Sequence, residues 1–247
     1  MAQIILVASG KGGVGKSSVT AFLGKALVKQ NKKVLLIDLD VMLKSLDIIL
    51  GCTEKCVYDW CDVLEGRADA ENAVVKGENG NPDLLCAPVS FSPSITQNGL
   101  APFIEPLKGN YDYIFLDAPA GLGEMLMLGS QIADFALTVA TPDEVCVRSA
   151  NMAADMIKKY GMNGEIRLII NRFRKKDVRR GSLLNADSVI DKTGVRLIGI
   201  VPEDSAVTFF SVSGKPLSPR SQAYLAFERI ALRLDGKNIP LKFNNLS

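Results

Sequence analysis

Short runs of apolar residues, rich in valine, isoleucine and leucine, recur along the chain. Each is cut off by glycine or polar residues. Residues 4–8, 34–37, 84–87, 113–116, 135–140, 166–170 and 197–201 are too short for helices and lack polar alternation. They predict strands covered on both faces. Between most of them the apolar positions return at a helical period, which predicts helices over 17–30, 95–107, 123–133, 143–159, 183–193 and 221–234. In the last of these, Leu225, Ala226, Ile230, Ala231 and Leu234 carry the spacing. This alternation predicts an α/β fold: a mostly parallel, twisted sheet of about seven to eight strands with helices on both faces. Residues 78–82 read as a loop. No repeat, low-complexity linker or shift of composition divides the chain, so residues 1–247 read as one domain, with 236–247 as a short C-terminal tail.

In a parallel sheet of this kind, ligands gather beyond the carboxyl ends of the strands. The residues after the first strand are therefore the first place to look. They read Gly10-Lys11-Gly12-Gly13-Val14-Gly15-Lys16-Ser17, followed by Ser18 and a helical run. This fits the phosphate-binding loop G-x-x-x-x-G-K-[ST], a P-loop, with an extra lysine just after the first glycine. Glycines let the backbone curl until several N–H groups point at one anion. The following helix adds its partial positive charge at the same place. Lys16 is placed to reach the β- and γ-phosphates of a nucleotide and Ser17 to bind Mg²⁺. A glycine-rich turn is the plain alternative, but the position between strand and helix favours the nucleotide.

Composition narrows the chemistry. The chain has 247 residues and 47% hydrophobic content, enough for a large core. A net charge of +2 selects no class of partner. There is no histidine, which removes Ser-His-Asp and Cys-His catalysis and every His-ligated metal site. Reaction chemistry must come from carboxylates, lysines, hydroxyls and backbone. The apolar run at the N-terminus lacks the basic leader and length of a signal peptide. No run approaches the ~18 apolar residues of a membrane span. Five cysteines in such a chain predict reduced thiols rather than a disulfide framework. Cys52, Cys56 and Cys61 cluster without the C-x-x-C spacing of a metal site. Residues 57–64 read as a helix that places Cys61 by packing.

Acidic residues end two of the predicted strands. Asp38-Leu39-Asp40 follows the second and Asp117-Ala118-Pro119-Ala120-Gly121 the fourth. Carboxylates there can hold Mg²⁺ directly or through water. Asp117 is the candidate Walker B residue and Asp38 a second acid around the ion. Asp40 lies two residues on, projects to the same side in an extended segment, and is placed to orient or deprotonate an attacking water. Asn171-Arg172 follows the sixth strand and Pro202-Glu203-Asp204 the seventh, at the same predicted edge. An amide such as Asn171 offers a donor and an acceptor together, which suits an adenine edge. A turn asparagine is the plain alternative.

With these pieces placed, the chain closely resembles the MinD branch of the MinD/ParA superfamily of deviant Walker A ATPases, to about residue 243. The superfamily loop K-G-G-x-G-K-[ST] is met by Lys11 through Ser17, and the run Asp38-Leu39-Asp40-Val41-Met42-Leu43-Lys44-Ser45-Leu46-Asp47 is similar to a D-x-D-x-G-L-R-N-L-D segment of that branch. Partition proteins of the ParA type carry D-x-D-P-Q-G there instead. The absence of C-x-x-C counts against iron–sulfur scaffold relatives. The resemblance implies a Mg-ATP-dependent ATPase that forms a homodimer with ATP. Lys11 would reach across that dimer to the partner's nucleotide, and Asp40 would activate water. Asp38 and Asp117 would stand around the magnesium and Asn171 at the adenine, with 202–204 lining the base. It also implies a spatial regulator of septum placement, with protein partners from the division-site system, in the cytoplasm or peripheral at the inner face of the membrane.

Two departures stand out. Met42 replaces the family's usual glycine, which implies a stiffer segment. The chain stops at Lys242-Phe243-Asn244-Asn245-Leu246-Ser247, too short for the basic amphipathic helix by which the branch binds membrane. A basic stretch, Arg172, Arg174, Lys175, Lys176, Arg179 and Arg180, reads first as a solvated loop. It leaves open anionic lipid, at about 1 kcal/mol per basic residue, and the DNA phosphates of a ParA-like cargo-positioning ATPase. A nucleotide-binding adaptor that does not hydrolyse is the remaining alternative.

Overall fold

A computed structural model of the chain describes residues 1–90, 99–207, 218 and 220–241. Eight strands form one sheet: β1 (Gln3–Ala8), β2 (Val34–Asp38), β3 (Val74–Val75), β4 (Asp83–Leu85), β5 (Tyr113–Asp117), β6 (Phe135–Ala140), β7 (Glu165–Phe173) and β8 (Arg196–Pro202). Their order is β3-β4-β2-β5-β1-β6-β7-β8. All neighbours are parallel except β3, which pairs antiparallel with β4 at the edge. The two-residue strand β3 is too short to leave a pattern in the sequence.

Side chains of one strand point alternately to opposite faces, and here both faces are buried. Ile4, Leu6 and Ala8 of β1 join one apolar cluster, while Ile5 and Val7 join the other. This explains why the strands read as unbroken apolar runs. Helix α1 (Lys16–Val28) and helix α10 (Gln222–Leu234) cover one face, where Phe22 stacks on Phe227 with ring centroids 5.2 Å apart. The other face is covered by α3 (Trp60–Leu64), α5 (Ala101–Ile104), α6 (Glu124–Ile132), α7 (Glu144–Lys159) and α9 (Ala186–Thr193). Shorter helices α2 (Leu46–Leu50), α4 (Ala70–Ala73) and α8 (Lys175–Arg179) complete the described elements, together with 3₁₀ turns at Thr53–Lys55 and Glu105–Leu107.

Most predicted helices appear within a few residues. Asp143, Asn185 and Ser221 stand just outside them as N-caps, each accepting from a backbone N–H of the first turn. The helix predicted over 95–107 is corrected. Only 101–107 is helical, and there Pro102 and Pro106 break the run into an α-turn and a 3₁₀ turn. Its first part, 95–98, lies outside the described residues, as does 242–247 of the tail.

The cysteine expectation is also corrected. Cys56, beyond the turn that follows α2, and Cys86, just past β4, are joined as a disulfide with Cα atoms 6.3 Å apart. Thirty residues separate them, so only the fold brings them together. Cys52, Cys61 and Cys146 are free thiols. Among the described residues, no helix is long and apolar enough to cross a membrane.

Candidate nucleotide site

The loop between β1 and α1 lies at the centre of the carboxyl edge, because β1 is flanked by β5 and β6. Gly13 and Gly15 both take positive φ, 81° and 85°, which only glycine adopts freely. Gly15 is the N-cap of α1 and brings no side chain to the first-turn N–H groups. Helices α7, α9 and α10 close theirs with a side chain, while α6, after Gly123, does not. The N-terminus of α1 therefore keeps its donors and its partial positive charge for an anion. Gly10 is required for another reason: a Cβ there would lie 2.1 Å from the carbonyl oxygen of Ser149, so α7 packs directly on the loop backbone.

Lys16 is buried, and its ammonium lies 2.9 Å from Asp117 Oδ2. Ser17 Oγ donates to the same oxygen at 2.6 Å. Thr20, one turn further along α1, donates to Asp117 Oδ1 at 2.7 Å. Asp117 ends β5 with no exposed surface. Its neighbour across the sheet is Asp38, in register at the end of β2. Asp38 accepts from the backbone N–H of Asp40 at 2.9 Å and of Leu46 at 3.1 Å. Burial, and then the charge of Asp117, push the Asp38 carboxyl up to about 7. Two buried carboxylates thus face one buried lysine. A hydroxyl and two carboxylates around surplus negative charge suit a hard divalent cation such as Mg²⁺, with nucleotide phosphates completing its oxygen shell. Among the described residues, no cluster of three or more acidic or cysteine side chains offers a metal cage of its own.

Asp40 is buried, and its Oδ1 accepts from the Leu43 N–H at 3.1 Å. It sits where the chain leaves β2, beside the acids but turned into its own loop. Lys11 is exposed. Its charge acts on Asp143 and Cys146 at the start of α7. Asn171 is buried and donates to the Val14 carbonyl at 2.8 Å, so it braces the loop from β7. Arg172 follows with φ 52° and lies over Gly15. Pro202 and Glu203 are at the same edge. Asp204 is turned away: its carboxylate accepts from Ser221 Oγ at 2.6 Å and from the Ala206 N–H at 2.9 Å, tying β8 to the start of α10. Ser18 lies in the first turn of α1 with its hydroxyl outside this network.

Sequence reasoning missed Thr20 and Trp60. Thr20 is four residues from Lys16 and so faces the same way on α1, a signal the sequence carried. The Trp60 indole N–H donates to the Asp38 carbonyl at 2.9 Å, a contact that only the sheet order creates. The basic stretch is the end of β7 followed by α8, and Asp177 within it pairs with Arg174 at 3.0 Å.

The loop, the buried lysine and the paired strand-end acids decide the class, and known proteins decide the branch. The family model described as ParA, NUBPL iron-transfer P-loop NTPase, matches residues 1–234. The septum site-determining protein MinD of Synechocystis is 37% identical over 246 residues, spanning 97% of this chain and 92% of that protein. This chain belongs to the MinD branch of the ParA-family P-loop ATPases. Two solved MinD structures carry the same fold. One is MinD in the MinC:MinD cell division complex of Aquifex aeolicus, with TM-score 0.86, 38% identity and 98% of each chain covered. The other is MinD with Mg-ADP from Pyrococcus horikoshii, with TM-score 0.83 and 31% identity, covering 95% of this chain and 96% of that one. Within the family, the iron-transfer description finds no C-x-x-C pair in this MinD-like chain.

Proposed function

We propose that this ATPase is a Mg-ATP-dependent dimerising switch that regulates placement of the division septum. The observation that carries it is the α1 N-terminus, left without a side-chain cap, with Lys16 and Ser17 meeting Asp117 beside Asp38. The relatives named for septum-site determination, the one solved with MinC and the one solved with Mg-ADP support the reading.

The loop N–H groups from Gly10 to Ser18 would cradle the phosphates, and Lys16 would neutralise charge that develops on the γ-phosphoryl group. Ser17 would hold Mg²⁺, with Asp38 and Asp117 around it through water. When bound, the ion offsets phosphate charge and aligns the phosphate oxygens. Asp40 would orient the attacking water. Asn171, Arg172, Pro202 and Glu203 form the proposed base side, with Asp204 anchoring that segment to the start of α10.

Lys11 is the proposed reporter across a homodimer. It is exposed at the edge of the loop. Large exposed apolar residues stand on either side of that loop: Met42, Leu43 and Ile48 after β2, and Val145 and Met152 on α7. Division-site proteins of the MinC kind are the proposed partners, and peripheral membrane contact is the proposed location of action.

Phosphate release by wild type, Lys16→Ala and Asp40→Ala tests the site. Each variant is expected to lose turnover by about 100-fold or more. Equal rates in all three would overturn the assignment. Size-exclusion chromatography with ATP and with ADP tests the switch, which requires a dimer only with ATP.

A further inference from the structure

The Cys56–Cys86 pair stands one residue from the acids of the nucleotide site. In the β2–β4 register Ile37 pairs with Leu85, so the next residues on the two strands are Asp38 and Cys86. Trp60 links them. Its backbone N–H donates to the Cys86 carbonyl at 3.3 Å, and its indole N–H donates to the Asp38 carbonyl at 2.9 Å. The ring is fully buried and stacked on Phe103, with centroids 5.8 Å apart. The chain between Asp38 and Trp60 is therefore a loop with both ends at the site, interrupted by α2, whose Leu46, Ile49 and Leu50 are buried. It carries Asp40 and the exposed Met42, Leu43, Ile48, Val57 and Tyr58. The disulfide fastens that loop to β4 next to Val57.

We propose that Cys56 and Cys86 form a reversible dithiol–disulfide switch that holds or frees the part of that loop after α2, residues 51–59, and through Trp60 the backbone of Asp38. Cys56 is half-buried while Cys86 is buried, so attack falls on Cys56. A thiolate of a small dithiol reductant bonds to Cys56 Sγ, the S–S bond breaks, and Cys86 leaves as a thiolate that takes a proton. The reductant's second thiol then displaces Cys56 as a thiol and closes the reductant's own disulfide. Two electrons and two protons pass to the protein, and the reverse exchange restores the bond. Both states have a place. In the disulfide form Cys56 Sγ lies 3.6 Å from the Cys52 carbonyl oxygen, an acceptor that the thiol formed on reduction can use. Cys52 is a poor competing nucleophile, since burial raises its thiol above the ordinary value.

With the disulfide closed, the stretch before Trp60 is tied to the end of β4, beside the backbone of Asp38. A cross-link favours the arrangement that it fits, so oxidation opposes any rearrangement of this stretch during turnover. This direction rests on the ATPase reading; the switch itself does not.

Two measurements separate them. Without nucleotide, alkylation in denaturant followed by mass analysis should find three modified cysteines before reduction and all five after, because unfolding exposes the buried Cys61 and Cys146. Emission of Trp60, the sole tryptophan, should change on reduction in wild type and Cys52→Ser but not in Cys56→Ser/Cys86→Ser. Five modified cysteines after mild disulfide oxidation, or unchanged emission, overturns the switch whatever the turnover. With Mg-ATP, reduction should raise phosphate release at least threefold in wild type and leave the double variant unaffected. An emission change with equal turnover in both redox states overturns the coupling to the site. Absence of turnover in every form overturns the ATPase reading and with it the coupling, while emission still decides the switch.

Discussion

Asp38 shows how much one side chain can reveal about the site around it. A carboxyl is ordinarily half-ionised near pH 4, and here burial and the Asp117 charge move it toward neutrality. The folded state thus binds a proton more tightly than the unfolded chain. Stability from this group is complete below the ordinary carboxylate value and is lost as pH rises through about 7. The nucleotide-free wild type should therefore lose melting temperature, relative to Asp38→Asn, between about pH 4 and pH 7. Parallel curves for the two proteins in thermal melts would disprove the shift. Thr20 offers a companion test. It is buried and gives its hydroxyl to Asp117 at 2.7 Å, with the Lys16 carbonyl at 3.1 Å. Thr20→Val keeps the shape and removes the donor, which should cost about 1–3 kcal/mol. A melting temperature equal to wild type would show that Asp117 needs no such support.

At the scale of elements, the glycine loop was legible because its backbone demands and its chemistry coincide in eight adjacent residues. Asp38 and Asp117 were legible because buried strands end in carboxylates only where something uses them. The bracing of that loop was not legible. Asn171 lies 157 residues from Val14, and only the placement of β7 beyond β6 brings them together. Its amide therefore read as an adenine contact, whereas its observed bond is to the loop. The Asp204 bond was hidden for the same reason, since its partner Ser221 caps α10, 17 residues further along the sequence. Gly15 now carries a double constraint. A Cβ there would sit 2.5 Å from Asn171 Nδ2, at a φ of +85°. Gly15→Ala should push Asn171 off the Val14 carbonyl and weaken ADP binding at least tenfold, about 1.4 kcal/mol. The melt should move by only a few degrees. Unchanged ADP affinity by calorimetry would mean that the loop does not depend on this contact.

For the molecule as a whole, the sheet order decides where the proposed second copy would meet the nucleotide. The loop after β1 lies between the chain leaving β2 and the helix that follows β6, because the order runs β2-β5-β1-β6. Exposed apolar side chains flank it on both sides, with Leu43 70% and Val145 59% exposed. Residues of that size and exposure on both rims of a charged site favour association over solvation. A negative charge placed there should oppose a like face without touching the nucleotide. Val145→Asp is the cleaner choice, since α7 is a long helix and Val145 points outward from its first turn. The variant should bind ADP as wild type does, yet fail to dimerise with ATP in size-exclusion chromatography at protein concentrations where wild type does. An ATP-dependent dimer of Val145→Asp, formed as readily as by wild type, would move the interface away from this edge. Lys11 would then have no partner to reach.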